Sequence, residues 1–234
     1  MIPARIVGHS TGENWIGLID ATYGIILTLL VIELPVIILD TIKECHEHSH
    51  SYLELSLGVA SLLLGYFAVF TILYDIWSYH KTLLRDAIQL RLFAISTSWL
   101  MFIASLVPPF YYLVNHFSVK LLLHFADHPT LAEEGLIRSR TGVYILIALL
   151  YWILAFLARK EQFQRGQSPK QRRELFQITG TAMSKCILTL FIMVIANSFR
   201  IPPPTPTLLL AISTYFYFNF FEFSRQSPNY QRNK

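Results

Sequence analysis

The sequence feature that most constrains the fold is one apolar stretch, residues 15–39, which reads WIGLIDATYGIILTLLVIELPVIIL. It can cross a bilayer as a single helix, since about 20 apolar residues span a hydrocarbon core of roughly 30 Å. It is longer than the h-region of a signal peptide and lacks both a basic cluster before it and a cleavage motif, so we expect it to stay as a transmembrane helix. A purely structural anchor has little use for polar groups, yet this stretch contains Asp20, Thr28 and Glu33.

The composition extends this expectation to the whole chain. Of its 234 residues, 53% are hydrophobic and 15% are charged, which is typical of membrane proteins with several spans and not of soluble domains. We predict an all-α integral membrane bundle that forms one domain, residues 1–234, with six transmembrane helices. The predicted spans are 15–39, 53–79, 90–114, 141–158, 183–199 and 206–223.

Basic residues are concentrated after the second, fourth and sixth spans. They are Lys81, Arg85 and Arg91, then Arg159, Lys160, Arg165, Lys170, Arg172 and Arg173, then Arg225, Arg232 and Lys234. By the positive-inside rule this asymmetry places both termini in the cytoplasm. The net charge of +4 belongs to these connections, so we expect lipid and not nucleic acid as a partner.

Two connections carry their own expectations. The segment VKLLLHFA, residues 119–126, is apolar but too short to span, and we interpret it as an interfacial helix in preference to a re-entrant one. The polar segment 159–174 contains Gly166 and Pro169 as helix breakers, which predicts a flexible cytoplasmic loop.

Four aliphatic residues of the first span share one face. At about 100° per residue, Ile25, Leu29, Ile32 and Val36 fall within about 60° of each other and form a continuous aliphatic stripe. The stripe either lines an ion pathway or packs on a neighbouring helix of a monomer.

The polar residues of this span point in other directions. Asp20 is about 140° from Ile25, so we expect it to face other spans of its own subunit in a structural network with His80, near Asp75. Glu33, about 80° away, either snorkels outward or attracts cations at the outer mouth.

Thr28 lies about 60° from Ile25 on the other side of the stripe. Its hydroxyl either faces the pathway or bonds to the carbonyl of Gly24, as membrane threonines commonly do.

Little else in the sequence suggests chemistry. The run from Cys45 to His50 carries ligand types suited to Zn²⁺ or Cu²⁺, but no second cluster completes a site, so we favour a solvated outer loop and predict no metal. The sequence has no phosphate-binding glycine loop, nucleophile elbow or HExxH motif, and no TVGYG filter, so we expect neither an enzyme nor a cofactor.

The segment LIDATYGIILTLLVIELP resembles the opening helix of the transmembrane protein 175 family of potassium channels. The likeness continues in the sequence from Trp77 to His80 and in SLVPPF, residues 105–110, and it covers roughly Trp15 to Phe110. The family hallmark Arg-x-x-x-Phe-Ser-Asp keeps only its aspartate here. Asn14, Leu18 and Ile19 replace its other three defined positions.

The resemblance implies a prokaryotic single-repeat member that forms a homotetramer in the plasma membrane and conducts K⁺ as its permeant ion. The family's pore-lining positions correspond to Ile25, Leu29 and Ile32, with Thr28 beside the constriction. The altered hallmark keeps open a scaffold or a transporter of the same fold. A third alternative is a membrane enzyme that uses the His/Cys/Glu run.

Overall fold

The structure, a computed structural model, describes residues 12–47, 52–85, 90–122, 129–163 and 168–217, and the regular structure within these ranges is entirely helical. The helices are α1 (Gly12–Glu47), α2 (Tyr52–Arg85), α3 (Leu90–Ser105), α4 (Val107–Leu122), α5 (Pro129–Gln162), α6 (Pro169–Ser198) and α7 (Thr205–Ala211), and a π-helical segment, Ile212–Tyr217, follows α7 directly. The all-α prediction is confirmed.

Five segments are long and apolar enough to cross a membrane. They are Trp15–Lys43, Leu55–Leu84, Ile95–Leu121, Thr130–Gln162 and Pro169–Ser198. The sixth predicted span, 206–223, is helical from its start to Tyr217, and its remainder lies outside the described residues.

The third span continues past its predicted end at residue 114 and reaches Leu122 as α3 followed by α4. Pro108 and Pro109 lie in the first turn of α4, where the backbone nitrogen has no partner within the helix, so proline is tolerated there. The helical path bends at Leu106, whose amide bonds to the Ile103 carbonyl at 3.1 Å. Residues 119–122 of the expected interfacial helix therefore belong to α4, and the rest of that segment lies outside the described residues.

The fourth and fifth spans also begin earlier than predicted. Helix α6 starts inside the segment that we expected to be a loop, because Pro169 opens the helix instead of breaking it. Ser168 caps this end, since its side chain accepts from the Gln171 amide while the Gln171 side chain accepts from the Ser168 amide. Gly166 lies outside the described residues.

The core forms where the long helices pack side by side. Helix α6 packs chiefly against α5, α1 against α2, and α4 against α5, while α7 closes against α2. The centre is aliphatic and aromatic, with Leu73, Ile76, Tyr151 and Leu154 fully buried.

A buried ion pair joins the two halves of the chain. Lys185 of α6 and Asp75 of α2 are 0% and 1% exposed, and the lysine Nζ lies 2.9 and 2.7 Å from the two carboxylate oxygens. Tyr151 of α5 donates to Asp75 at 2.7 Å, and the lysine also lies over the Tyr79 ring, 4.4 Å from its centroid. Three helices thus meet at one neutralised carboxylate.

Arg140 holds the opposite end of α6. Its guanidinium is buried on α5 and donates to the carbonyls of Ala196 and Ile201 and to the Asn197 side chain. These carbonyls lie at the C-terminal end of α6, where the last carbonyls of a helix have no partner within the helix. A cation there also interacts favourably with the helix dipole.

Lys185→Met should destabilise the protein by about 3–5 kcal/mol, because it leaves the Asp75 carboxylate buried without its counter-charge. The double variant Asp75→Asn/Lys185→Met should recover most of this loss, since both partners are then neutral and Tyr151 keeps an acceptor. Thermal unfolding of the purified protein in detergent measures both effects.

Arg138→Met is the matched control, since Arg138 forms an exposed ion pair with Glu134 one turn away. Such a pair contributes only about 0.3–0.5 kcal/mol. A Lys185→Met protein as stable as this control would contradict a structural role for the buried pair.

Candidate pore-lining face

The first helix presents two unlike faces. Ile25, Leu29, Ile32 and Val36, the aliphatic stripe, are 62%, 46%, 59% and 52% exposed in the single chain. On the other side, the face formed by Ile19, Tyr23, Ile26, Leu30 and Ile37 is buried against the bundle. One face therefore fixes α1 to its subunit and leaves the stripe uncovered within the part of the chain that the structure describes.

Small residues flank the aliphatic stripe. Gly17, Ala21, Gly24 and Thr28 follow i, i+4, i+7, i+11 spacing and lie about 40–100° from Ile25 on one side. A methyl group added at Gly17 or Gly24 would meet nothing within 4 Å among the described residues, so the packing of the subunit does not require these glycines. This pattern was visible in the sequence, but our sequence analysis did not use it.

The two flanking polar residues differ in environment. Thr28 Oγ1 donates to the Gly24 carbonyl at 2.7 Å, which is the second of its two expected roles. Glu33 is half-buried, and its Oε2 lies inside the protein.

Asp20 lies against α2. It accepts hydrogen bonds from Trp77 Nε1 at 2.9 Å and from Lys81 Nζ at 2.8 Å, and the lysine also lies over the Trp77 ring. These partners are one turn apart, so a single carboxylate binds two successive positions of α2. Our sequence analysis treated Lys81 only as a topology signal and therefore missed this contact.

His80, expected in the same network, lies in a different environment. It is fully buried, its Nε2 is 3.0 Å from Thr97 Oγ1 of α3, and its ring meets the Tyr23 ring edge-on. Asp75, the other expected neighbour, is bound by Lys185. Asp20 and His80 thus make separate contacts, with α1–α2 and α2–α3 respectively.

The run from Cys45 to His50 lies partly outside the described residues, because α1 ends at Glu47 and residues 48–51 are not described. Within the described ranges, no group of three His, Cys, Asp or Glu residues is arranged to hold a metal ion.

A helical bundle with several candidate membrane spans and a first helix exposed along an aliphatic stripe defines an integral membrane protein. Residues 16–108 match the sequence model of the family described as "Endosomal/lysosomal potassium channel TMEM175". The match confirms the resemblance to this potassium channel family over α1, α2, α3 and the start of α4. Comparisons with curated proteins and with solved structures found no match.

Asp20→Ala should destabilise the protein by about 1 kcal/mol, because it removes the acceptor of both Trp77 and Lys81 from a site that is more than a third exposed. Lys81→Met should cost less, since Trp77 keeps its acceptor. Thermal unfolding of both variants in detergent gives the comparison. If Asp20→Ala alters ion selectivity while stability and oligomer size are unchanged, Asp20 faces the pathway instead of α2.

Proposed function

We propose that the protein is a potassium-permeable channel in which four copies of α1 surround a central pore. The observation that carries the proposal is the exposure of Ile25, Leu29 and Ile32 along one face of a helix whose other face is fixed in the subunit. The family match over residues 16–108 supports the permeant ion. A closed ring is the symmetry by which identical chains form one axial pore.

In this arrangement Ile25, Leu29 and Ile32 form stacked aliphatic rings. A narrow apolar ring disfavours water and so acts as a gate, and selection among cations takes place at the same constriction. Thr28 lies beside it with its hydroxyl bonded to the backbone, which leaves its methyl group to support the constriction.

The flank of Gly17, Ala21 and Gly24 supports a close approach of neighbouring copies. Small residues at this spacing let membrane helices approach each other, because lipid provides no hydrophobic drive to bring helices together. The proposal places the protein in a prokaryotic plasma membrane with both termini cytoplasmic, surrounded by lipid. It requires no cofactor other than the conducted K⁺ and no catalytic group.

A second candidate is a non-conducting or differently selective membrane protein of the same fold, acting as a scaffold or a transporter. The observation in its favour is the altered hallmark, with Asn14, Leu18 and Ile19 in place of Arg, Phe and Ser. The flux experiment below separates the two candidates.

Liposomes that contain the purified protein should take up K⁺ under a voltage gradient. Ile25→Asn and Leu29→Asn should each raise leak or reduce the preference for K⁺ over Na⁺, because an amide in the constriction admits water. Ile187→Asn is the matched control, since Ile187 is 61% exposed but lies on α6. Absence of K⁺ flux in the unmodified protein would contradict the channel proposal, and variants that behave like the control would make the stripe a packing surface.

Gly24→Leu should shift the purified protein from tetramer to smaller species. The added side chain meets nothing in the subunit but overpacks the interface between copies, at a cost of about 1–3 kcal/mol per site. Gly180→Leu is the control, because Gly180 is also exposed and unobstructed but lies on α6. Mass measurement in detergent reads the outcome, and a monomeric unmodified protein would exclude an axial pore.

A further inference from the structure

Three polar groups between α1, α2 and α4 have no partner among the groups that the structure describes. They are Glu33 Oε2 of α1, the Tyr66 hydroxyl of α2 and Asn115 Nδ2 of α4, and each of these atoms is buried. Tyr66 and Asn115 are only 4% and 3% exposed. Such groups are costly when buried unless something binds them.

The three side chains form one cluster, which we call the Glu33 cluster. The Glu33 carboxylate is close enough to the Tyr66 hydroxyl to interact with it electrostatically, and the Asn115 side chain approaches the hydroxyls of both Tyr66 and Tyr111. The Tyr66 and Tyr111 rings meet edge-on with centroids 5.3 Å apart, which fixes the position of the tyrosine hydroxyls.

A cavity of about 50 Å³ lies one to two turns further along the same seam, toward the C-terminal end of α1. Its lining includes Ile37 and Thr41 of α1, one and two turns beyond Glu33, and Tyr112 and His116 on either side of Asn115. The volume is several times the roughly 10–15 Å³ that one water requires. Tyr112 also interacts electrostatically with Tyr66, so the cavity and the Glu33 cluster adjoin.

The charges along this seam leave one negative charge uncompensated. Asp40 and Lys120, both in the cavity lining, are opposite in sign and balance each other at its mouth. No described lysine or arginine pairs with Glu33, in contrast to Asp20 and Asp75, which each bind a lysine.

We propose that the Glu33 cluster binds a small monovalent cation such as K⁺, which enters through the cavity beside His116. Glu33 Oε2 and the Tyr66 hydroxyl oxygen are the protein ligands, water in the cavity completes the coordination, and the Asn115 amide orients the hydroxyl. The site lies within the wall of one subunit, about 80° around α1 from Ile25, and is therefore separate from the aliphatic stripe.

The charge count favours a monovalent ion. One carboxylate neutralises one positive charge, whereas a divalent ion would leave a net charge inside the membrane at high cost. Calcium sites also use six to eight oxygen ligands, commonly with several carboxylates.

The test measures thermal unfolding of the full-length protein in detergent as KCl replaces N-methylglucamine chloride at constant chloride. K⁺ should raise the midpoint of unfolding by about 3 °C at saturation, because a ligand that binds only the folded state stabilises it. Glu33→Gln should abolish the rise, and Tyr66→Phe should raise the K⁺ concentration of half effect about tenfold, as expected for the loss of one ligand. If Glu33→Gln does not fold, Glu33→Asp should fold and show the same tenfold shift as Tyr66→Phe.

Two controls assign the effect to this site. Glu134→Gln changes an exposed carboxylate and should retain the full K⁺ response. Ile25→Asn changes the proposed pore and should also retain it, so the outcome is independent of whether the protein conducts K⁺.

Three outcomes would overturn the proposal. They are an unmodified protein that does not respond to K⁺, a Glu33→Gln protein that responds fully, and a midpoint that rises on acidification alone and then no longer depends on K⁺. The last result would mean that Glu33 is neutralised by a proton.

Discussion

The ion pair between Asp75 and Lys185 is the interaction on which the arrangement of the bundle depends. A charge inside a bilayer has few partners other than those that the protein supplies, so this pair fixes α2 and α6 relative to each other. Tyr151 adds α5 through the same carboxylate. Because α1 packs chiefly on α2, the position of the proposed pore helix follows from a contact between helices behind it.

Helix α1 can be read as two half-helices that share one backbone. One half is a core element, held by Ile26 and Leu30 and by the bonds from α2 to Asp20. The other half is an aliphatic surface that its own subunit does not cover. This division explains why a carboxylate lies so close to an apolar stripe, since Asp20 belongs to the half that holds the helix in place.

Much of this arrangement could be predicted from the sequence. The period of 100° identified the stripe, and hydropathy located most of the spans, because both signals depend on runs of many residues. Helix ends were predicted less well. Pro109 and Pro169 were read as stops or breakers, but both lie in first turns, where proline is favourable, and only the neighbouring caps distinguish the two cases.

Partners of charged residues could not be predicted, because they depend on which helices become neighbours. Lys185 is a single cation in an apolar span, and nothing local to it indicates a carboxylate 110 residues earlier. Lys81 matched the positive-inside pattern so well that its bond to Asp20 was not anticipated. The Glu33 cluster was missed for the same reason, since it combines residues from three helices.

The separation between Asp75 and Lys185 also affects how the protein is made. A ribosome that adds about 5–20 residues per second needs roughly 5–20 s to synthesise the 110 residues between them. During that interval the second helix reaches the membrane with a carboxylate whose counter-charge does not yet exist. The second helix can therefore settle only after the fifth span arrives, so the order of synthesis differs from the order in which the bundle is completed.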